Sequence, residues 1–273
     1  MTALLVPVAD AVAARLAGAP LLVMLDVDGT LAPIAPRPDA ARVPEETRRI
    51  VAALASRPAV DVVLVSGRAA GDARRLVSVA NVWVIGNHGY EVVGPDGGEI
   101  IDPKYAAMPA AIALASRRLR SRLSAIPGVI LEDKRWTLSV HYRLADASVE
   151  PALRSIVEET ARALGLRVSA GKMVFEVRPP ARVDKGSAVL ALASTLGGFG
   201  GDASIVFAGD DATDEDAFRA LRAHSPAPVT IRVGQPDGIT AAELTAHDTD
   251  EIREFLAWLL STRAPAQEMT GAP

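Results

Sequence analysis

Apolar residues in this chain follow two rhythms. Continuous short runs at Leu21 to Leu25, Val60 to Val65, Val82 to Ile85, Ala203 to Ala208 and Val229 to Val233 have the pattern of strands buried on both faces of a parallel sheet. Between them lie helical patterns: Pro7 to Leu16, Pro44 to about Ser56, Ala69 to Val77, Lys185 to about Leu196 and Glu251 to Leu260. The second opens with Pro44, Glu45 and Glu46, a proline and two acids where the first turn of a helix favours both. This alternation predicts an α/β fold, a doubly wound parallel sheet. Tyr90 to Val93 and Glu99 to Ile101 flank Gly94-Pro95-Asp96-Gly97-Gly98, which predicts a hairpin.

The rhythm changes between Pro103 and Pro180. It reads helix (Tyr105 to Leu123), strand (Val129 to Glu132), strand (Trp136 to Tyr142), helix (Ser148 to Leu164), strand (Leu166 to Ser169) and strand (Met173 to Val177). Such a run predicts a smaller inserted α+β module with its own sheet, with Pro179-Pro180 as its return linker. The expected domains are therefore a core of residues 1–102 and 181–273 and an insert of residues 103–180. The last dozen residues read as a frayed tail.

Composition narrows the partners. Hydrophobic residues make up 49% and charged residues 23% of 273 positions, which fits ordinary globular usage and argues against extensive disorder. A net charge of −4 without a clustered basic stripe argues against nucleic acid as the main partner. The absence of cysteine excludes disulfides and thiolate metal sites and fits a reducing compartment. No basic leader precedes an apolar core at the N-terminus, and no run reaches the roughly 18 apolar residues of a membrane span, so the expected location is the cytoplasm.

The chemistry concentrates where strands end. The first strand runs into Asp26-Val27-Asp28-Gly29-Thr30. Carboxylates two apart on an extended segment point the same way, at the strand end where open sheets bind ligands. Two like charges this close call for a cation. Taken alone, the pair fits an acidic turn after a core strand equally well. Three further ends add Ser66-Gly67-Arg68, Lys185, and Asp210-Asp211-Ala212-Thr213-Asp214. His88 and His141 lack the spacing of a metal motif and read as loop or core residues.

In that order the four elements resemble the haloacid-dehalogenase (HAD)-type phosphatases, over nearly the whole chain. The resemblance implies Asp26 as nucleophile, Asp28 as general acid then base, and Ser66 and Lys185 as holders of phosphate oxygens. It implies Mg²⁺ held by Asp26, Asp210 and the backbone carbonyl of Asp28, with Asp211 and Asp214 behind them. An insert after the third strand is similar to the C2-capped branch, many of whose members hydrolyse sugar phosphates. Superfamily phosphomutases usually carry their cap earlier.

Finer motifs resemble the trehalose-6-phosphate phosphatases: Gly86-Asn87-His88-Gly89-Tyr90-Glu91, His141-Tyr142-Arg143, Gly171 to Pro179, and Gly209 to Asp216. This resemblance implies a sugar-phosphate substrate contacted by Arg68, Asn87, His88, Glu132, Lys134, Arg143, Lys172 and Glu176, whose paired donors and acceptors suit sugar hydroxyls. It implies a monomer supplied by a separate trehalose-phosphate synthase. A sucrose-phosphate or glycosyl-phosphoglycerate phosphatase, a non-catalytic sugar-phosphate sensor and a phospho-accepting receiver remain the alternatives.

Overall fold

The computed structural model describes residues 12–101, 103–171, 173–180, 183–224, 228–235 and 238–263. Most of the Pro7 to Leu16 pattern and the C-terminal tail lie outside these residues. The chain separates into two compact units, Met1–Ile100 with Val183–Pro273, and Ile101–Arg182.

The first unit is built on eight strands: β1 (Leu21–Asp26), β2 (Val60–Val65), β3 (Trp83–Gly86), β4 (Glu91–Val93), β5 (Glu99–Ile100), β10 (Ser204–Gly209), β11 (Val229–Val233) and β12 (Leu244–Ala246). Their order is β12-β11-β10-β1-β2-β3-β4-β5. All neighbours are parallel up to β3, and the expected hairpin extends the sheet antiparallel as β4 and β5. Strand order reverses beside β1, between it and β10, which is where such sheets open a crevice for ligands.

Alternation along β1 explains the double winding. Leu21, Val23 and Leu25 pack with Val51 and Leu54 of α1 (Glu45–Ala55), Ala73 and Val77 of α2 (Ala70–Val77), and Phe255 and Leu259 of α7 (Thr249–Thr262). Leu22 and Met24 face the other way, against Val189 and Leu192 of α5 (Lys185–Thr195) and Phe218 and Leu221 of α6 (Asp214–Arg222). Each fully buried aliphatic side chain contributes roughly 1.5–3 kcal/mol, so both faces hold the strand in register. Asp26 continues the even series and therefore points to the α5 and α6 side.

The second unit carries α3 (Met108–Leu123), α4 (Glu150–Arg162) and the antiparallel strands β6 (Ile130–Asp133), β7 (Leu138–His141), β8 (Arg167–Gly171) and β9 (Val174–Arg178), ordered β6-β7-β9-β8. Leu138, Val140, Phe175 and Val177 pack with Ile112 and Leu119 of α3 and Leu153 and Val157 of α4. The opposite face of the sheet carries its polar residues.

Several bounds differ from the pattern. The third helix begins at Met108 because Pro103–Tyr105 forms a separate 3-10 turn, and the fourth begins at Glu150 after another at Ala147–Val149. Trp136 falls in a turn before β7, where Arg135 takes a positive φ of 69°. Asp248 caps α7 by accepting from the backbone N–H groups of Asp250 and Glu251, so that helix starts at Thr249. No helix among the described residues is long and apolar enough to cross a membrane.

Candidate active site

Asp26 ends β1 almost wholly buried, at 4% exposure. Its Oδ1 accepts from Lys185 Nζ at 2.7 Å, and the same ammonium donates to Asp214 Oδ1 at 2.8 Å. Lys185 and Asp214 are the first residues of α5 and α6, the two helices on the side to which Asp26 points. A reciprocal capping box between Asp184 and Ser187 fixes the start of α5. A side chain on Gly186 would strike the Asp216 carbonyl at 2.5 Å, so glycine there lets the two helices approach.

The loop after β10 brings further acids. Asp211 Oδ1 accepts from the Thr213 and Asp214 N–H groups at 2.8 and 3.0 Å and from Thr213 Oγ1 at 2.7 Å, which winds the loop into α6. Asp210 lies against Gly29, whose φ is +84° and whose absent Cβ would sit 2.0 Å from Asp210 Oδ2. Glycine at that position therefore serves both the turn and the carboxylate.

Charge in this cluster is unbalanced. Asp26, Asp210, Asp211 and Asp214 surround one lysine. Burial pushes the Asp26 carboxyl up to about 7 against the pull of Lys185, and Asp211 and Asp210 add to the rise. Burial, Asp214 and Asp211 push Asp210 up to about 7, opposed by Lys185 and Arg232. Burial and the Asp26 charge raise Asp214 well above the usual range. Asp211 goes the other way: burial opposes its charge, but Lys185 and the hydrogen bonds from Thr213 and Asp214 hold it down to about 2. Burial works against the Lys185 ammonium, yet Asp26, Asp214 and Asp211 raise its pKa. Asp26, Asp210 and Asp214 each offer an oxygen within 4.8 Å of the others. An all-oxygen donor set with excess negative charge suits a hard divalent cation. Of the expected metal group Asp26 and Asp210 lie together, with Asp214 beside them; Asp28, expected to contribute its backbone carbonyl, has its carboxylate engaged elsewhere.

That engagement is with Arg68, whose Nε and Nη2 each donate at 2.6 Å to the two Asp28 oxygens. A fork of this kind is geometrically specific, and it occupies both acceptor atoms of Asp28. Ser66, buried at the end of β2, accepts through Oγ from the Arg68 N–H at 3.1 Å. Asn87 and His88 hold the same loop by their backbones: Asn87 N–H donates to the Arg68 carbonyl at 2.7 Å and His88 N–H to the Ser66 carbonyl at 3.1 Å. Both take positive φ, 49° and 56°. The Glu91 carboxylate accepts from Ala70 N–H at 2.6 Å and so anchors α2 behind the loop.

In the second unit Glu132, Ser139, Glu176 and Ser169 are successive cross-strand partners on one face. Glu176 accepts from Ser139 Oγ at 2.8 Å. Glu132 accepts from His141 Nε2 at 3.1 Å and lies 3.7 Å from Lys134 Nζ. Arg143 is exposed, two residues beyond β7. Lys172 lies outside the described residues.

Sequence patterning missed Arg232, Glu215 and Ser139. Arg232 interrupts the apolar run of β11 yet is only 8% exposed, and a buried arginine in a strand signals a partner.

The trehalose-phosphatase family model matches residues 24–250. The chain belongs to the trehalose-phosphatase family. A trehalose-phosphate phosphatase of Mycolicibacterium paratuberculosis is 37% identical over 237 residues, covering 86% of this chain and 60% of that protein. The chain thus spans about 60% of the length of this protein and of the similar trehalose-phosphate phosphatase of Mycobacterium avium. A crystal structure described as a trehalose-6-phosphate phosphatase related protein is 30% identical, with a TM-score of 0.74 over 88% of this chain and 97% of that one. A phosphatase of the HAD superfamily from Bacteroides thetaiotaomicron shares the fold at 17% identity, with a TM-score of 0.58 over 88% of this chain and 95% of its own. The architecture is the HAD-type α/β core with a separate small antiparallel sheet.

Proposed function

We propose that this family member is a divalent-cation-dependent phosphatase that hydrolyses trehalose 6-phosphate to trehalose and inorganic phosphate. The observation that carries the reading is the buried lysine shared by Asp26 and Asp214 beside Asp210, at the carboxyl ends of β1 and β10. Family membership supports a sugar-phosphate substrate.

Asp26 attacks phosphorus, the bond to the sugar oxygen breaks, and Asp28 delivers a proton to that oxygen. Water then attacks the aspartyl-phosphate and gives up a proton to Asp28, the bond between phosphorus and the Asp26 oxygen breaks, and phosphate and the Asp26 carboxylate are released. Both oxygens of Asp28 are occupied by Arg68, so proton delivery requires Arg68 to exchange partners. Its natural alternative is the incoming phosphate, which joins Arg68 to substrate binding. Ser66 Oγ and Lys185 Nζ hold phosphate oxygens, and an ammonium already fixed between two carboxylates needs little reorganisation to do so. Asp26 and Asp210, with the Asp28 carbonyl, would hold Mg²⁺, and Asp214 orients Lys185. Bound there, the cation screens the carboxylate nucleophile from the phosphate dianion. Glu132, Lys134, Arg143, Lys172 and Glu176 are the sugar contacts in this reading, and Asn87 and His88 brace the phosphate loop through their backbones.

Phosphate release with Mg²⁺ from trehalose 6-phosphate, sucrose 6-phosphate, glucosyl-3-phosphoglycerate and glucose 6-phosphate tests this, with Asp26→Asn as control. Preference for trehalose 6-phosphate that disappears in the variant is expected. Preference for another member keeps the chemistry and removes the substrate. Binding without turnover converts the reading to a sensor.

A further inference from the structure

Two cations hold the acidic loop, and the second has no place in the reaction just described. Arg232 sits on β11 directly across the parallel ladder from Gly209, the residue before Asp210. Its Nη1 donates to the Asp211 carbonyl at 2.9 Å and lies 3.7 Å from Glu215 Oε1. Glu215 in turn accepts from Thr240 Oγ1 and from Ala241 N–H, both at 2.7 Å. All of this is enclosed: the Arg232 and Glu215 side chains are 10% and 14% exposed. Residues 210–214 are thus pinned at one end by Lys185 through Asp214 and at the other by Arg232 through the Asp211 carbonyl.

We propose that Arg232 and Glu215 are positioning residues that hold Asp210 in place for a divalent cation. The inference rests on the metal reading of the site given above. The physical reason is the density of acids. Asp210, Asp211, Asp214, Glu215 and Asp216 fall within seven residues, and a loop of like charges relaxes outward unless its backbone is tied. A planar guanidinium that bridges the carbonyl and the Glu215 carboxylate ties it at two points without competing for Asp210, whereas a lysine would offer one point charge. Glu215 joins this tie to the segment before β12, so the loop is braced against the far edge of the sheet.

Calorimetric titration of the metal-free chain with Mg²⁺ tests this without turnover, using Arg232→Met, Arg232→Lys, Glu215→Gln and Thr240→Val. Removal of an outer-shell partner typically weakens metal binding about 10–100-fold. Arg232→Met is expected to fall in that range, Glu215→Gln near its lower end, and Arg232→Lys and Thr240→Val below it. Melting temperatures of the same metal-free variants separate the two possible roles. A lowered melting temperature with Mg²⁺ affinity unchanged in every variant overturns the proposal and leaves a purely structural role. If Arg232→Met does not fold, Arg232→Lys and Thr240→Val still decide, since unchanged affinity in both overturns it. Wild-type chain that takes up no Mg²⁺ overturns the metal reading itself, whereas wild-type binding with equal binding by the variants overturns only the role of Arg232 and Glu215.

Discussion

The two units of this chain differ most in what they do with charge. Residues 101–182 carry fourteen Lys and Arg against eight Asp and Glu, a net of +6, which leaves −10 for the rest. In the acidic unit the decisive groups are desolvated: Asp26, Lys185 and Asp214 are all less than 5% exposed. In the basic unit Glu132 and Arg143 are exposed and Glu176 is half-buried on the polar face of its sheet. Buried charges in fixed pairs interact strongly and cannot be rearranged singly. Exposed ones are screened and individually weak. The first arrangement suits chemistry on a phosphate, and the second suits discrimination of hydroxyls by many modest contacts. Under the proposed reading, the net −10 of the acidic unit is what Lys185 and a cation have to offset before a phosphate dianion can bind.

The sharpest way to break the contrast is to neutralise the nucleophile. Asp26→Asn should lower phosphate release at least about a thousandfold. It should not lower the melting temperature of the metal-free chain, because it removes one of several mutually repelling carboxylates. A variant that loses activity only by unfolding would show both falling together. Lys185→Met attacks the same cluster from the other sign. Breaking a buried ion pair by removing one partner costs about 3–5 kcal/mol, so its midpoint in chemical denaturation should drop by that equivalent. A drop under about 1 kcal/mol would mean that the cluster is solvated and that burial is not what sets its behaviour.

In the basic unit the expected effects are smaller and of another kind. Glu176→Gln keeps the hydrogen bond from Ser139 but removes the charge. It should raise KM for trehalose 6-phosphate about tenfold, which is about 1.4 kcal/mol, and leave kcat within a few-fold. Glucose 6-phosphate should be affected less, since fewer hydroxyls are read. A fall in kcat with KM constant would move Glu176 from recognition to chemistry.

Legibility follows the same division. The Asp26 and Asp28 pair could be read because it interrupts an apolar strand at a fixed parity, and Lys185 because it opens a helix where the family pattern carries a lysine. What could not be read are pairings that exist only once strands are ordered. Arg68 meets Asp28 across 40 positions, and Arg232 meets Asp211 across 21 because β10 and β11 are neighbours. Asn87 and His88 were expected at the substrate, and their positive φ shows backbone work that no spacing pattern carries. The strand β12 was missed because three residues, Leu244-Thr245-Ala246, are too few to display a period. Exposed residues of the second unit were legible only through family motifs, since one charged strand face looks like another.

The smallest predicted effect tests whether the acidic cluster is a cation site in waiting. Asp26 and Asp210 are each held up to about 7, against 3.8 for an unperturbed aspartate. The folded metal-free chain therefore takes up protons between pH 7 and 4 that the unfolded chain does not, and stability must rise as pH falls through that window. Above pH 7 the repulsion is present in full. Asp211, held down to about 2, acts in the opposite sense only below pH 4, outside the window. His247 on the surface has its pKa raised by its hydrogen bond to Asp248, which works in the same direction, so the measurement is made in a His247→Gln background. One unit of effective shift is about 1.4 kcal/mol, and for a chain of this size that is about 3–5 °C in Tm. Metal-free protein should accordingly melt a few degrees higher at pH 5.5 than at pH 8. Saturating Mg²⁺ should reverse the order, because it competes with protons for the same oxygens and stabilises most where they are ionised. If Asp26→Asn with Asp210→Asn retains the full pH trend, the trend belongs to other groups. If wild-type Tm at pH 8 is unmoved by Mg²⁺, the carboxylates repel one another for some end other than holding a cation.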